Sequence, residues 1–165
     1  MTITFKGISL GLIVSATMSI GAADAATTTT ANLAVTATVL DTCIVTTGAA
    51  LTFVTVGPTG VTNESTPGSI EVVCTASRSA LTVTLGGGGA AVSGGRRMSD
   101  GSGSFLPYAV HADSGHSTPI AVNGEIYNGA VSAAVPVVIP VYGQVPSGAY
   151  TSGVYTDTVV VTLAY

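Results

Sequence analysis

The stretch ANLAVTATVLDTC, residues 31–43, alternates apolar and polar side chains up to the first cysteine of the chain. Alternation with a period of two is typical of a β-strand with one buried face. The apolar row consists of Ala31, Leu33, Val35, Ala37 and Val39. Such a strand can pair with its own sheet or with another molecule. The pattern alone favours self-pairing in a complete sandwich and leaves the second arrangement open.

The residues before this strand have the features of a secretory signal. Residues 7–22 are nearly all apolar or small, Lys6 precedes them, and Ala23-Asp24-Ala25 places small residues at the positions that a signal peptidase reads. The run is too short, and wrongly flanked, for a membrane anchor. We therefore predict a signal peptide over residues 1–25 and an exported mature protein.

Charge is scarce in this chain and is mostly negative. It has four basic and eight acidic residues, a net charge of −4, and only 7% charged residues. A nucleic-acid groove needs a basic stripe, so this balance excludes nucleic acid as a partner and argues against an anionic membrane surface. Two interpretations of the uncharged surface stay open: a Thr/Ser/Gly-coated β protein, or a surface that lies against neighbouring copies.

Cys43 and Cys74 are the only cysteines. In an exported chain an even pair predicts a disulfide. A bridge that closes a loop of about 31 residues would stabilise the fold by roughly 3–4 kcal/mol. A metal site would need more ligands than two distant thiols, and a redox motif would place them closer together.

No convincing helical period occurs after the signal peptide, whereas period-two alternation recurs between Gly, Pro, Asn and Asp. Short strands at this spacing are typical of an all-β sandwich. The predicted strands are 31–40, 43–46, 50–56, 69–75, 80–85, 104–112, 131–142 and 154–165.

The sequences of two of these strands indicate where each strand lies in its sheet. In 131–142, Pro136 and Pro140 remove two N–H groups from the same side, which indicates an edge strand or one broken by bulges. In 154–165 an apolar row runs to the last residue, so we expect that strand to be packed to its end with no later partner for its free edge. The row consists of Val159, Val161, Leu163 and Tyr165.

Other residue clusters were weighed as candidate sites. His111, Asp113 and His116 are metal-ligand types, although such a cluster is more often a solvated strand end and turn. Arg96-Arg97 could bind an anion or a sugar acid, although a structural pairing with Asp100 or another acid is favoured. No G-x-S-x-G elbow is present, and the run of glycines at 86–89 lacks the lysine of a phosphate loop. We predict no enzymatic activity, no catalytic residue, no metal site and no cofactor.

The ordered set of motifs resembles the spore coat protein U domain family, which includes subunits of the archaic chaperone–usher pili. One departure is Tyr108-Ala-Val-His111-Ala-Asp113, where the family often has Y-N-L-Y-x-D, and the tryptophan that often follows is absent. The segments that carry the resemblance are NLAVTATVLDTCIV (32–45), LTFVTVGP (51–58), IEVVCTA (70–76), RRMSDGSGSFLPYAVHAD (96–113), VYGQVP (141–146) and SGVYTDTVVVTLAY (152–165).

The resemblance implies an incomplete immunoglobulin-like β-sandwich that lacks its final strand and is completed by a strand from another subunit. Residues 26–42 would then be a donor strand and hinge, with the hinge at Asp41-Thr42, and residues 43–165 the pilin-like domain. The row from Ala31 to Val39 would be donated, and the C-terminal strand from Val159 to Tyr165 would line the receiving groove.

The expected function is therefore a structural subunit of a surface fibre, assembled by donor-strand exchange and contributing to attachment or biofilm formation. Its partners would be copies of itself or related pilins, a periplasmic immunoglobulin-like chaperone and an outer-membrane usher. The chain would pass through the periplasm to a pilus at the cell surface. The alternatives are a secreted spore-coat or matrix protein of the same fold, and a carbohydrate-binding adhesin module.

Overall fold

A computed structural model describes residues 28–165, so the predicted signal peptide lies outside the described residues. The chain divides into two compact units at Ala37/Thr38. In the first unit, residues 28–37 form no strand and their side chains are exposed. The second unit contains every strand of the described part of the chain.

Residues 28–165 form nine strands and no helix, so none of them provides a helical span across a membrane. The strands are β1 (Cys43–Ala49), β2 (Thr62–Asn63), β3 (Gly68–Cys74), β4 (Arg78–Leu85), β5 (Arg96–Ser99), β6 (Phe105–His111), β7 (Gly124–Val131), β8 (Val137–Val145) and β9 (Val161–Ala164).

The strands build two antiparallel sheets around a common core. The larger sheet has the order β1-β3-β8-β6-β5, with β2 also paired to β8, and the smaller has the order β7-β4-β9. Buried side chains from both sheets form one hydrophobic cluster, which includes Ile70, Val72 and Leu106 from the larger sheet and Leu81 and Val83 from the smaller. The predicted all-β sandwich is confirmed.

Alternation in the sequence explains why these strands bury one face. In β3, every second residue from Gly68 to Cys74 is buried, and the residues between them are partly exposed. Leu106, Tyr108 and Val110 are buried in the same way in β6. β-branched and aromatic residues suit this half-buried, pleated surface.

The two cysteines join the first two strands of the larger sheet. Cys43 and Cys74 are directly opposite each other in the β1–β3 register and form a disulfide. The predicted bridge is confirmed, and it fastens the start of β1 to the end of β3.

The predicted strand over 131–142 is wrong. Val131 ends β7, the chain turns through Ala134 at a φ of 57°, and β8 begins at Val137. β8 is an interior strand between β3 and β6, so the predicted edge position is wrong as well. Pro140 of β8 pairs with β3, whereas the pairing of β8 with β6 begins only at Tyr142. At Pro140 the strand has a ladder on one side only, which is how an interior strand tolerates a proline.

Three other predicted strands are shorter than expected or absent. Residues 31–40 form no strand, and 50–56 contribute a single bridge from Thr52 to Thr66. The predicted strand 154–165 is reduced to β9, because Thr156 pairs across to Ser99 of β5 instead of continuing along β4. The segments 50–56 and 150–161 flank an open cleft, so each lacks a neighbouring strand on that side.

Candidate functional site

A cleft of about 860 Å³ lies between the segments 47–56 and 150–161. Its floor is the apolar core of the sandwich, because buried side chains of both sheets reach its lining. These floor residues include Ile70, Leu85, Leu106, Tyr108, Val110 and Val141. Core side chains that are 2–8% exposed therefore form the floor of an open cleft.

Two glycines shape the first wall of the cleft. A Cβ on Gly143 would lie 2.7 Å from the Phe53 ring and 2.9 Å from Leu51, which is too close for a real side chain. A Cβ on Gly68 would lie 2.8 Å from Val141 and 3.1 Å from Leu51. These positions are therefore bare so that Leu51 and Phe53 can lie flat against the sheet. This gives the glycine in V-Y-G-Q-V-P a physical role.

The same wall is fastened through Thr52 and a buried Glu64–His116 contact. The Thr52 carbonyl accepts from the backbone N–H of Ser65 at 2.8 Å, and the Thr52 N–H donates to the Thr66 carbonyl at 3.1 Å. Next to Ser65, Glu64 Oε2 lies 2.7 Å from His116 Nε2 and accepts the Gly143 N–H at 2.9 Å. The Glu64 and His116 side chains are both nearly inaccessible to solvent. These contacts of Glu64 thus anchor the chain segment to which the cleft wall is bonded.

The second wall is anchored by Asp157. Its carboxylate accepts the Tyr108 hydroxyl at 2.7 Å and the Gly89 backbone N–H at 2.8 Å. Gly88, at a φ of +89°, is so close to this carboxylate that a side chain there would collide with it. Burial, together with the hydrogen bond to Asp157, raises the pKa of Tyr108, which stays a neutral donor. Asp157 of the Y-x-D-T motif therefore ties the second wall to the core.

The structure places the predicted C-terminal row in two environments. Val159 and Val161 line the cleft. Leu163 is opposite Val83 in β4 and packs against the core outside the cleft. Tyr165 is 54% exposed, with the Arg78 guanidinium 4.7 Å from its ring centroid. Leu163 and Tyr165 are not in the lining of this cleft, which reaches β9 at its first residue, Val161.

The predicted donor residues are unpaired. Leu33, Val35 and Val39 are 87%, 83% and 82% exposed, and Ala31 and Ala37 are exposed as well. Large apolar side chains this accessible are unusual unless they have a use elsewhere.

The chain becomes fastened at the predicted hinge. Asp41 Oδ1 lies 2.6 Å from Arg78 Nη2, and the Thr42 N–H donates to the Thr75 hydroxyl at 2.9 Å. The Thr75 hydroxyl in turn lies 2.9 Å from the Leu40 carbonyl oxygen. Residues 40–42 are thus held to the disulfide end of β3 rather than free to swing.

The histidine cluster occupies the end of β6, where His111 is buried, and the largely exposed turn that follows it. His116 pairs with Glu64, and Asp113 accepts the backbone N–H groups of Ser117 and Thr118. His111 is buried in β6, and its Nδ1 has no hydrogen-bond partner among the described residues. No group of three or more His, Cys, Asp or Glu side chains within residues 28–165 could hold a metal ion.

We expect His111 to make the domain less stable in mild acid. Burial lowers the pKa of His111, and the nearby His116 lowers it further. Asp113 and Glu64 act in the opposite direction and raise it. Tyr142 lies opposite His111 on the neighbouring strand. A folded-state pKa below the unfolded value gives stability that is present above about pH 6.5 and is lost as the pH falls. Thermal unfolding at pH 7 and pH 5 should show a lower midpoint at pH 5. His111→Phe should reduce that difference, and an unchanged difference would contradict the assignment.

Sequence reasoning missed the role of Arg96. Its buried guanidinium donates to four carbonyl oxygens, those of Leu85, Gly86, Ile120 and Ala121, at 2.6–2.9 Å. Asp100 instead accepts hydrogen bonds from Ser102 and Ser104 in its own turn. The expected pairing of Arg96-Arg97 with Asp100 is therefore wrong. The double arginine next to a strand was a visible signal, but its carbonyl partners come from distant loops.

Two solved structures have similar folds. One is a chaperone–tip adhesion subunit pre-assembly complex, CsuC–CsuE, from the archaic chaperone–usher Csu pili of Acinetobacter baumannii, with 18% identity and a TM-score of 0.56. The match covers 78% of this chain and 40% of that chain, so this chain spans less than half the length of that relative. The other is a chaperone–usher pilus from a study of rod uncoiling, with 16% identity and a TM-score of 0.51, covering 87% of this chain and 99% of that one.

These similarities show that the sandwich has the immunoglobulin-like fold of chaperone–usher pilins. No curated protein matches the sequence. The family model described as Spore Coat Protein U domain matches residues 29–162, which include every described strand up to the second residue of β9. The chain belongs to the spore coat protein U domain family.

Proposed function

We propose that this protein is a structural subunit of a surface fibre, assembled through the chaperone–usher pathway by donor-strand exchange. The observation that carries the proposal is the open cleft, whose apolar floor belongs to the core of the sandwich. Within the described residues, β9 pairs with β4 on one edge only, and the cleft reaches β9 at its first residue, Val161. A strand added there would gain a backbone ladder and cover the floor.

The occupant of the cleft is the segment 31–39 of another copy. Nine residues in extended conformation span about 30 Å and present alternate side chains to one face. Burial of Leu33, Val35 and Val39 is worth about 1.5–3 kcal/mol each, and the two alanines contribute less. Association costs several kcal/mol of lost freedom, which this burial and the added ladder exceed.

The joint between donor segment and domain lies before Leu40. The contacts of Leu40, Asp41 and Thr42 with Thr75 and Arg78 hold those residues to the domain. We therefore place the hinge before Leu40, closer to the N-terminus than the predicted position at Asp41-Thr42.

The remaining steps of fibre assembly follow from an open cleft with an apolar floor. Before polymerisation the cleft needs a temporary cover, which a periplasmic chaperone with an immunoglobulin-like fold would supply as a strand. An outer-membrane usher would then exchange that strand for the donor segment of the next subunit. The finished fibre would be displayed at the cell surface and serve attachment or biofilm formation.

Deletion of residues 26–40, with the signal peptide kept, tests the donor assignment. The truncated subunit should still be recovered from the periplasm in a one-to-one complex with the chaperone, because its cleft is intact. It should form no fibres of its own by electron microscopy, because it has nothing to donate. Fibres of normal length from the truncated subunit would disprove the proposal, as would an isolated full-length monomer with residues 31–40 hydrogen-bonded inside its own domain.

A further inference from the structure

We propose that Arg97 forms the centre of a second, shallow binding site, for a sugar that carries a single carboxylate, such as a uronic acid. The site lies at β5, next to the cleft, with which it shares the lining residues Thr156, Asp157 and Thr158. It is a hollow of about 550 Å³, which is within the range of roughly 300–1,000 Å³ typical of small-molecule sites. Its lining includes Gly89, Ala90, Arg97, Ser99, Phe105 and Thr158.

Among the described residues, Arg97 is the one arginine that has neither an acidic partner nor a network of carbonyl oxygens. Arg78 is paired with Asp41, and Arg96 is saturated by four carbonyl oxygens. Arg97 makes a single hydrogen bond, from Nε to the Ala90 carbonyl at 2.6 Å, and forms no ion pair within residues 28–165. Its two terminal nitrogens are therefore available to a ligand.

The guanidinium is also held in a fixed orientation. Its Cζ lies 3.8 Å from the centroid of the Phe105 ring, and the bond to Ala90 fixes the opposite end of the plane. A stacked guanidinium presents a rigid fork that matches a carboxylate in two parallel hydrogen bonds. Because the side chain is already ordered, binding costs little further conformational entropy.

The charge around the hollow selects a monoanion. The chain has a net charge of −4, and the Asp157 carboxylate lines the same hollow. A phosphate group or a polyanion would meet one cation and one fixed acid, which is unfavourable. A single carboxylate needs only the Arg97 fork and can lie away from Asp157.

The remaining lining favours a sugar over a bare carboxylate. Ser99, Thr156 and Thr158, which carry hydroxyl groups, are among the lining residues. Hydroxyl groups act as both donors and acceptors, which is what ring hydroxyls of a sugar require. The small residues Gly89, Ala90 and Ala91 leave room for a ring. If the chain polymerises as proposed above, the fibre would present this hollow once per subunit, so weak single sites would add in avidity.

The test is a titration of the full chain with sodium glucuronate, followed by two-dimensional amide NMR, with glucose and acetate as comparison ligands. Glucuronate should bind in the millimolar range with shifts around residues 89–91, 97–99 and 156–158, and glucose and acetate should each bind at least about tenfold more weakly. Arg97→Gln should weaken glucuronate binding about tenfold or more, since it removes a charge-assisted pair. Arg97→Lys should weaken it as well, because the fork is lost.

The matched control is Arg78→Gln, which removes the same charge from an arginine that is already paired and distant from the hollow. It should leave glucuronate affinity unchanged. Four results would each overturn the proposal: no saturable binding, equal affinity for glucose, equal affinity for acetate, or an Arg97→Gln variant that binds like the parent. The donor segment 31–39 does not line the hollow, so a failure of glucuronate binding and a failure of donor-strand exchange are separate results.

Discussion

Arg96→Met should destabilise the domain by about 3–5 kcal/mol, which is a large part of the stability of a domain this size. Arg96 is 5% exposed, and its guanidinium satisfies the carbonyls of Leu85 and Gly86 at the end of β4 and of Ile120 and Ala121 before β7. Methionine fills a similar volume but leaves these carbonyls without donors. Each buried, unsatisfied polar group costs about 1–3 kcal/mol.

The charge of Arg96 is not the main reason for this expectation. Burial lowers the pKa of Arg96, and Tyr108 and Asp157 partly oppose that change, but an arginine stays protonated in proteins. Arg96 stabilises the domain through the shape of its guanidinium. This one planar group joins the edge strand β5 of the larger sheet to two segments of the smaller sheet. Arg96→Lys should therefore fail to restore stability, since a single ammonium cannot reach four carbonyls in one plane.

Arg97→Met is the matched control for this measurement. It makes the same substitution one residue later, where the side chain has one hydrogen bond and is partly exposed. Urea unfolding at pH 7, followed by circular dichroism with the disulfide intact, should show a loss below about 1 kcal/mol for Arg97→Met. Equal losses for the two variants would show that the carbonyl network does not have the proposed role.

The local sequence pattern was sufficient to predict the strands that have one buried and one more exposed face. β3, β4 and β6 were predicted to within two residues, because Ile70, Val83 and Val110 belong to strict apolar alternations that are buried in one sheet face. The disulfide was predictable as well, because the chain offers only one pair of cysteines. Family membership also followed from sequence, because the motifs occur in a fixed order.

Local pattern failed where pairing depends on distant segments. The boundary between β7 and β8 falls inside a run of alternating valines, and only the turn at Ala134 separates them. β5 is short and owes its place to Arg96, whose four partners lie 10 to 25 residues away. Nothing in residues 50–56 or 154–160 indicates that these strand-like sequences lack a neighbour, because a missing strand leaves no local trace.

The presence of a cleft beside the last strand could be predicted, but the residues that shape its walls could not. The resemblance implied a groove beside the last strand, and Val159 and Val161 lie there. The roles of Gly68, Gly143 and Asp157 depend on close approaches between segments far apart in sequence. The wall that contains Leu51 and Phe53 is likewise set by a hydrogen-bonded chain through Thr52 to Glu64 and His116.

Val35→Asp should abolish fibre formation. Val35 is at the centre of the proposed donor row and is 83% exposed in the described structure, so the substitution has no packing to disturb within its own domain. In the donated position the same carboxylate would enter the apolar floor formed by Leu106, Val110 and Val141 without a cationic partner. An unpaired buried charge costs several kcal/mol, which exceeds the contribution of any single donor side chain. The measurement is fibre length and number by electron microscopy, with recovery of the chaperone complex to show that the subunit is made and exported.

The neighbouring variant Thr36→Asp separates a buried row from a general effect of charge. It introduces the same carboxylate one residue away, on the row that faces solvent if the donated segment is a strand, so fibres should form at nearly normal length. Period-two alternation requires this contrast, because successive side chains of a strand point to opposite faces. If both substitutions abolished fibres, added charge in the segment would be the cause. If Val35→Asp left fibres intact, the row from Ala31 to Val39 would not be the part that enters the cleft.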